Sequence, residues 1–119
     1  MNWPTVFSRK LPSPYRERSN QGEFWFSRYS QISRAEIGCF LAILSDAFLF
    51  PEKLALLFHP QDVVKEIYRA LYPAAESVDG LEMEFLAVLL ASKYGVILEG
   101  NWMDTTLGEL LQTCCKTML

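Results

Sequence analysis

The acidic residues Asp79, Glu82 and Glu84 fall within six positions of one another, with Glu76 just before them. Paired carboxylates can pass protons when burial shifts their affinity for them. Here they gather at the amino end of a predicted helix, where negative charge is favourable in its own right. Asp79 is placed to cap that helix, and Glu82 follows three residues later. Capping and solvation account for the group without any chemistry. The functional alternative is an acidic docking rim for a basic protein partner. Such a rim speeds encounter and selects partners more than it adds affinity.

Other chemistry is poorly supplied. Zinc needs several Cys, His or carboxylate ligands converging on one point. The chain has one histidine, His59, and three cysteines, Cys39, Cys114 and Cys115. The adjacent cysteines point to different sides of a helix and lack a second pair, so no metal site is expected. A nucleophilic dyad would need His59 beside a cysteine; its place before Pro60 suits a cap or surface role. The glycines are scattered as stops and turns, not gathered into a phosphate-cradling loop. No catalytic residue and no cofactor is assigned. Trp102, in a loop after Gly100 and Asn101, is either a binding anchor or the lid of the core between two helices.

The elements that must position these residues read mostly as helices. Ser33 and Glu36 form a capping box. Ile37, Phe40, Leu41, Leu44 and Phe48 then mark one face of a helix over 34–49. Pro60 suits the first turn of the next helix, over 60–72, with Val63, Val64, Ile67, Tyr68 and Leu71 facing inward and Asp62 favouring its amino end. From Leu81 the apolar residues Leu81, Phe85, Val88 and Leu89 form a face with Ser92, widened by Leu86 and Leu90. A helix so apolar should be central, and Gly95 should stop it. Val96, Ile97 and Leu98 then pack on the core. Thr106 and Glu109 box the start of a last helix, whose face is Leu107, Leu110, Leu111, Cys114 and Met118.

Ahead of these, residues 1–22 carry Pro4, Pro12, Pro14 and Gly22 and predict an extended arm. Trp3 and Phe7 could tuck onto the body. Phe24, Trp25, Phe26 and Tyr29 form an aromatic strap, either a short strand or irregular. The expected architecture is all-α: one domain over 1–119, a small bundle of four to five helices. Residues 1–32 form an extended aromatic and basic arm packed on or flanking it.

Half the chain is hydrophobic and 21% is charged. A core of useful size is therefore available. The net charge of −3 hides a split: residues 1–34 carry +4 and the remainder −7. Basic residues Arg16, Arg18 and Arg28 of the arm could compete for the acidic rim. They are too sparse for nucleic acid, which wants a dense basic face. The apolar run 85–91 is far shorter than a membrane span. Three cysteines and no secretion segment favour a cytoplasmic chain with free thiols.

From Asp79 onward the chain resembles the acyl carrier protein family. Asp79-Gly80-Leu81 matches the Asp-Ser-Leu that opens the family's second helix. Tyr94-Gly95 falls where the family often closes that helix with an aromatic residue. Thr105-Thr106-Leu107 looks like the start of its last helix. The resemblance covers residues 60–118 and implies a four-helix bundle, with the short third helix near 101–104. The family's serine carries a phosphopantetheine arm. Gly80 stands in its place and has no hydroxyl to esterify. The resemblance therefore implies a degenerate carrier whose acidic face, on Asp79, Glu82 and Glu84, still meets basic partners; Phe85 replaces a further glutamate of that face. The expected function is a small non-catalytic interaction or regulatory module. The alternatives are an active carrier modified at another serine, and a structural homo-oligomer built through the two-sided apolar run at 85–91.

Overall fold

The structure is a computed structural model that describes residues 11–74 and 80–116. Its regular elements are all helical. Five α-helices follow one another: α1 (Gly22–Arg28), α2 (Arg34–Phe48), α3 (Val64–Leu71), α4 (Leu81–Tyr94) and α5 (Leu107–Cys114). Short 3-10 turns lie at Tyr15–Glu17, Glu52–Leu57 and Trp102–Asp104. The chain is thus a small all-α bundle.

Helix α2 forms over the expected span with half of the expected capping box, because the Glu36 side chain turns to Tyr94 and Lys93 instead of back to Ser33. The Ser33 side chain accepts from the Glu36 backbone N–H at 3.0 Å, satisfying one of the first-turn donors that lack a helical partner. Ile37, Phe40, Leu41, Leu44 and Phe48 are all buried. The helix ends on Leu49 in the left-handed conformation (φ 62°). Backbone N–H groups of Leu49 and Phe50 both return to the Ser45 carbonyl. This closure normally uses glycine, which has no Cβ to crowd the turn.

Helices α2 and α4 lie antiparallel. Ala47 and Leu49 at the end of α2 meet the start of α4. At the opposite ends, the Tyr94 hydroxyl donates to Glu36 at 3.4 Å. The buried residues of α4 are Met83, Leu86 and Leu90. This corrects the expected face. Leu81, Phe85 and Val88 point outward, at 74%, 46% and 61% exposure, and Ser92 is exposed with them. Nor is α4 central, since only one side of it is covered. The helix is apolar nearly all round, so its sequence does not define a facing stripe; the contact with α2 does.

Helix α3 starts four residues later than Pro60 suggests. The intervening backbone is occupied elsewhere. Gly108 N–H donates to the Pro60 carbonyl and Leu107 N–H to the Asp62 carbonyl, both at 2.8 Å, and Val64 N–H donates to Thr105. Val63 and Thr106 form an isolated antiparallel bridge. Helix α5 then begins with the expected capping box of Thr106 and Glu109. Met118 lies outside the described residues. Cys114 and Cys115 are both buried rather than divided between faces, because Cys115 is already the cap beyond the last helical residue. Cys39, within an apolar run, is exposed.

The aromatic strap is neither strand nor irregular; it is α1. Trp25 and Tyr29, four residues apart, share one helix face and are buried. The Trp25 indole N–H donates to the Phe58 carbonyl at 2.9 Å. Leu11, Tyr15 and Ile32 join the same core, so residues 11–32 pack into the bundle. Trp3 and Phe7 lie outside the described residues.

Candidate functional site

The amino end of α4 is built around a close approach. Gly80 is the N-cap residue and offers no side-chain cap. A Cβ placed there would collide with the Tyr68 hydroxyl. That hydroxyl donates to Glu82 Oε1 at 2.8 Å, so α3 holds the carboxylate of the first turn of α4. Tyr68 is itself fixed between Phe48 and Tyr72, at ring-centroid distances of 5.5 and 5.0 Å. Glu84, also in the first turn of α4, is exposed. Asp79 and Glu76 lie outside the described residues.

Beside these carboxylates lies an uncovered apolar surface. Leu81, Phe85 and Val88 recur at i, i+4 and i+7, which aligns them along one side of the helix over about 10 Å. Ala47 and Leu49 face them from α2, and the five residues with Glu82 and Glu84 enclose a hollow of about 360 Å³. Leu49 is 46% exposed. Among the described residues, no basic side chain and no serine, cysteine or histidine lines the hollow, so these residues present apolar contact with an acidic edge.

Trp102 is placed elsewhere. It is half-buried on its 3-10 turn and packs on the core. It lines a second hollow with Ile97, Leu98, Thr105, Leu110 and Thr113. Ile97 and Leu98 follow directly on the carboxyl end of α4. That helix has 14 residues, about 21 Å at 1.5 Å per residue. The structure therefore brings Glu82 and Glu84 together and does not bring Trp102 to them. Ile97 also departs from expectation: its neighbours Val96 and Leu98 pack inward while it faces water at 82% exposure.

Among the described residues of the arm, Arg16, Arg18 and Arg28 are engaged away from the acidic rim. Arg18 grips Asp62 with two bonds, Nη1 to Oδ2 at 2.6 Å and Nη2 to Oδ1 at 3.0 Å. Asp62 also accepts from the His59 backbone N–H at 2.7 Å. Asp62 thus ties the arm to the α3–α5 junction instead of merely favouring a helix end. Arg16 lies 3.7 Å from Glu17, and Arg28 sits over the Tyr29 ring. His59 accepts from Gln61 N–H through Nδ1 and stacks on Phe24.

Among the described residues, no three His, Cys, Asp or Glu side chains converge to hold a metal ion. No described helix is long and apolar enough to cross a membrane. Sequence reasoning found Glu82 and Glu84 but missed their apolar companions, because Leu81, Phe85 and Val88 read as core. Leu49 was missed as well, since nothing in its type announces a left-handed cap. No protein-family model, curated protein or solved structure matches the chain.

Proposed function

We propose that the protein is a non-catalytic interaction module whose docking surface is the amino end of α4. One observation carries the reading. Leu81, Phe85 and Val88 turn away from the core beside Glu82 and Glu84. Large apolar side chains grouped in one patch and rimmed by charge mark sites of macromolecular contact. The apolar residues supply the desolvated centre and the carboxylates supply selection.

The carrier resemblance fits this reading in its unloaded form. Gly80 offers no hydroxyl, and the Tyr68 hydroxyl already fills the space a side chain would take there. Co-expression with a broad phosphopantetheinyl transferase is expected to add no mass to the intact protein. A modified species would replace the module with an active carrier.

The docking surface is tested with a partner recovered from native lysate and then purified. Titration of wild type, Glu82→Lys and Glu84→Lys should show roughly tenfold weaker binding for each variant. Unchanged affinity in both would dismiss the surface.

A further inference from the structure

We infer that the hollow between the end of α2 and the outer face of α4 receives a basic amphipathic helix of a partner protein. The inference rests on the docking surface proposed above and names its occupant.

The shape argues for a helix. Leu81, Phe85 and Val88 form a ridge two turns long, faced by Ala47 and Leu49. Side chains at i, i+4 and i+7 interdigitate with the matching ridge of another helix. An extended peptide would instead seek an open sheet edge. The described residues form no sheet, only the bridge between Val63 and Thr106.

The charge argues for a basic flank. Glu82 and Glu84 stand on the rim. Asp46 is exposed in the turn of α2 that carries Ala47 and Leu49. The carboxyl end of α2 adds the negative pole of its dipole, and no basic residue sits in its last turn. The amino end of α4 opposes this with about half an elementary charge, which the carboxylates outweigh. A second copy is a poorer match. Set against the hollow, it brings the same acidic rim. Lys93, the cation at the far end of α4, is already 3.8 Å from Glu36.

Leu49 supports the assignment independently of charge. Its left-handed backbone is costly for a residue with a branched side chain, about 1–2 kcal/mol. Glycine would close the helix without that cost. Leucine there keeps an apolar side chain on the wall of the hollow.

The test uses three labelled peptides of about 18 residues, or five helical turns. One carries Leu and Phe at i, i+4, i+7 and i+11 with Lys and Arg between them. The second replaces those cations by Gln and Ser. The third keeps the basic composition but scrambles the apolar positions. Each is titrated into the full chain by fluorescence anisotropy. The basic amphipathic peptide is expected to bind roughly tenfold tighter than either control. Glu84→Gln should shrink its advantage over the neutral peptide. Val88→Asp, which adds to the acidity and removes the apolar contact, should abolish tight binding. Both positions are exposed, so circular dichroism should stay unchanged and the urea midpoint should fall by no more than the small cost of a like-charge pair on a helix surface.

Equal binding of the neutral peptide overturns the basic flank and leaves the docking surface standing. Equal binding of the scrambled peptide overturns the helix, and failure of all three overturns the inference outright. Light scattering that shows a dimer dissolved by Val88→Asp gives the hollow to a second copy and likewise overturns it. The partner titration decides the docking surface separately.

Discussion

The Tyr68 hydroxyl occupies the space into which any side chain at Gly80 would project. It is held there by the bond it donates to Glu82 and by rings on both sides. Gly80→Ser is therefore expected to destabilise the fold by about 1–3 kcal/mol, the usual cost of forcing atoms into a packed site. Tyr68→Phe removes the colliding oxygen, and the remaining ring carbon would lie at an ordinary 3.5 Å. Urea unfolding of the two single variants and the double variant measures the coupling. The double should cost less than the sum of the singles by about 1 kcal/mol. Strictly additive costs would mean that the tyrosine moves aside freely.

Leu49 makes a second prediction about stability. Its φ of 62° is a conformation that glycine adopts without strain. Leu49→Gly removes the strain and loses a half-exposed side chain. Urea unfolding should show a gain of up to about 1 kcal/mol. The same variant should bind the basic amphipathic peptide more weakly, because one wall of the hollow is gone. A variant that is less stable than wild type would show that Leu49 serves packing instead.

The clamp between arm and body predicts an order of effects. Arg18→Ala leaves Asp62 with its bond from His59 N–H and should cost about 2 kcal/mol, within the range for bonds to charged groups. Asp62→Ala removes that bond as well and leaves the guanidinium only the Leu57 carbonyl and the Tyr15 ring, so it should cost more. Both should speed hydrogen exchange at the Trp25 indole, whose N–H is tied to Phe58 in the same neighbourhood. Equal or reversed costs in thermal unfolding would separate Asp62 from the arm.

The helices with one apolar side were legible in advance, and those without one were not. Ser33 and Glu36 announce α2, and five apolar residues then repeat on one side; Thr106 and Glu109 do the same for α5. In α4 the residues Leu81, Met83, Phe85, Leu86, Val88, Leu89 and Leu90 surround the axis. No rotation of that helix is favoured by its own pattern, and the stripe that α2 covers is set by tertiary contact. Helix α1 is too short for a period to speak, and its anchor is a carbonyl 33 positions away. The acidic half of the candidate site was readable from residue type. Its apolar half was hidden by the rule that large hydrophobic residues belong inside.

Alkaline pH supplies the last prediction. Cys114 is buried against α5's neighbours, and burial, helped by the nearby Cys115, pushes its thiol up to about 12. Tyr94 is raised as well, chiefly by burial and then by Glu36. Both groups stay protonated in the folded chain at a pH where the unfolded chain ionises them. The folded state then binds more protons than the unfolded state, so stability falls as pH rises. The contribution is complete below the ordinary thiol value, 9.0, and is lost between there and the raised values. For Cys114 alone the loss amounts to at most about 4 kcal/mol, because each tenfold change in proton affinity is worth about 1.4 kcal/mol. Urea unfolding under reducing conditions, from about pH 8 to about pH 11, should show wild type weakening steeply. Cys114→Ala should start lower, because a cavity costs stability at every pH, and should weaken less over the same interval. Parallel curves for wild type and Cys114→Ala would mean that the thiol meets water in the folded protein, and the packing of α5 against the core would have to be redrawn.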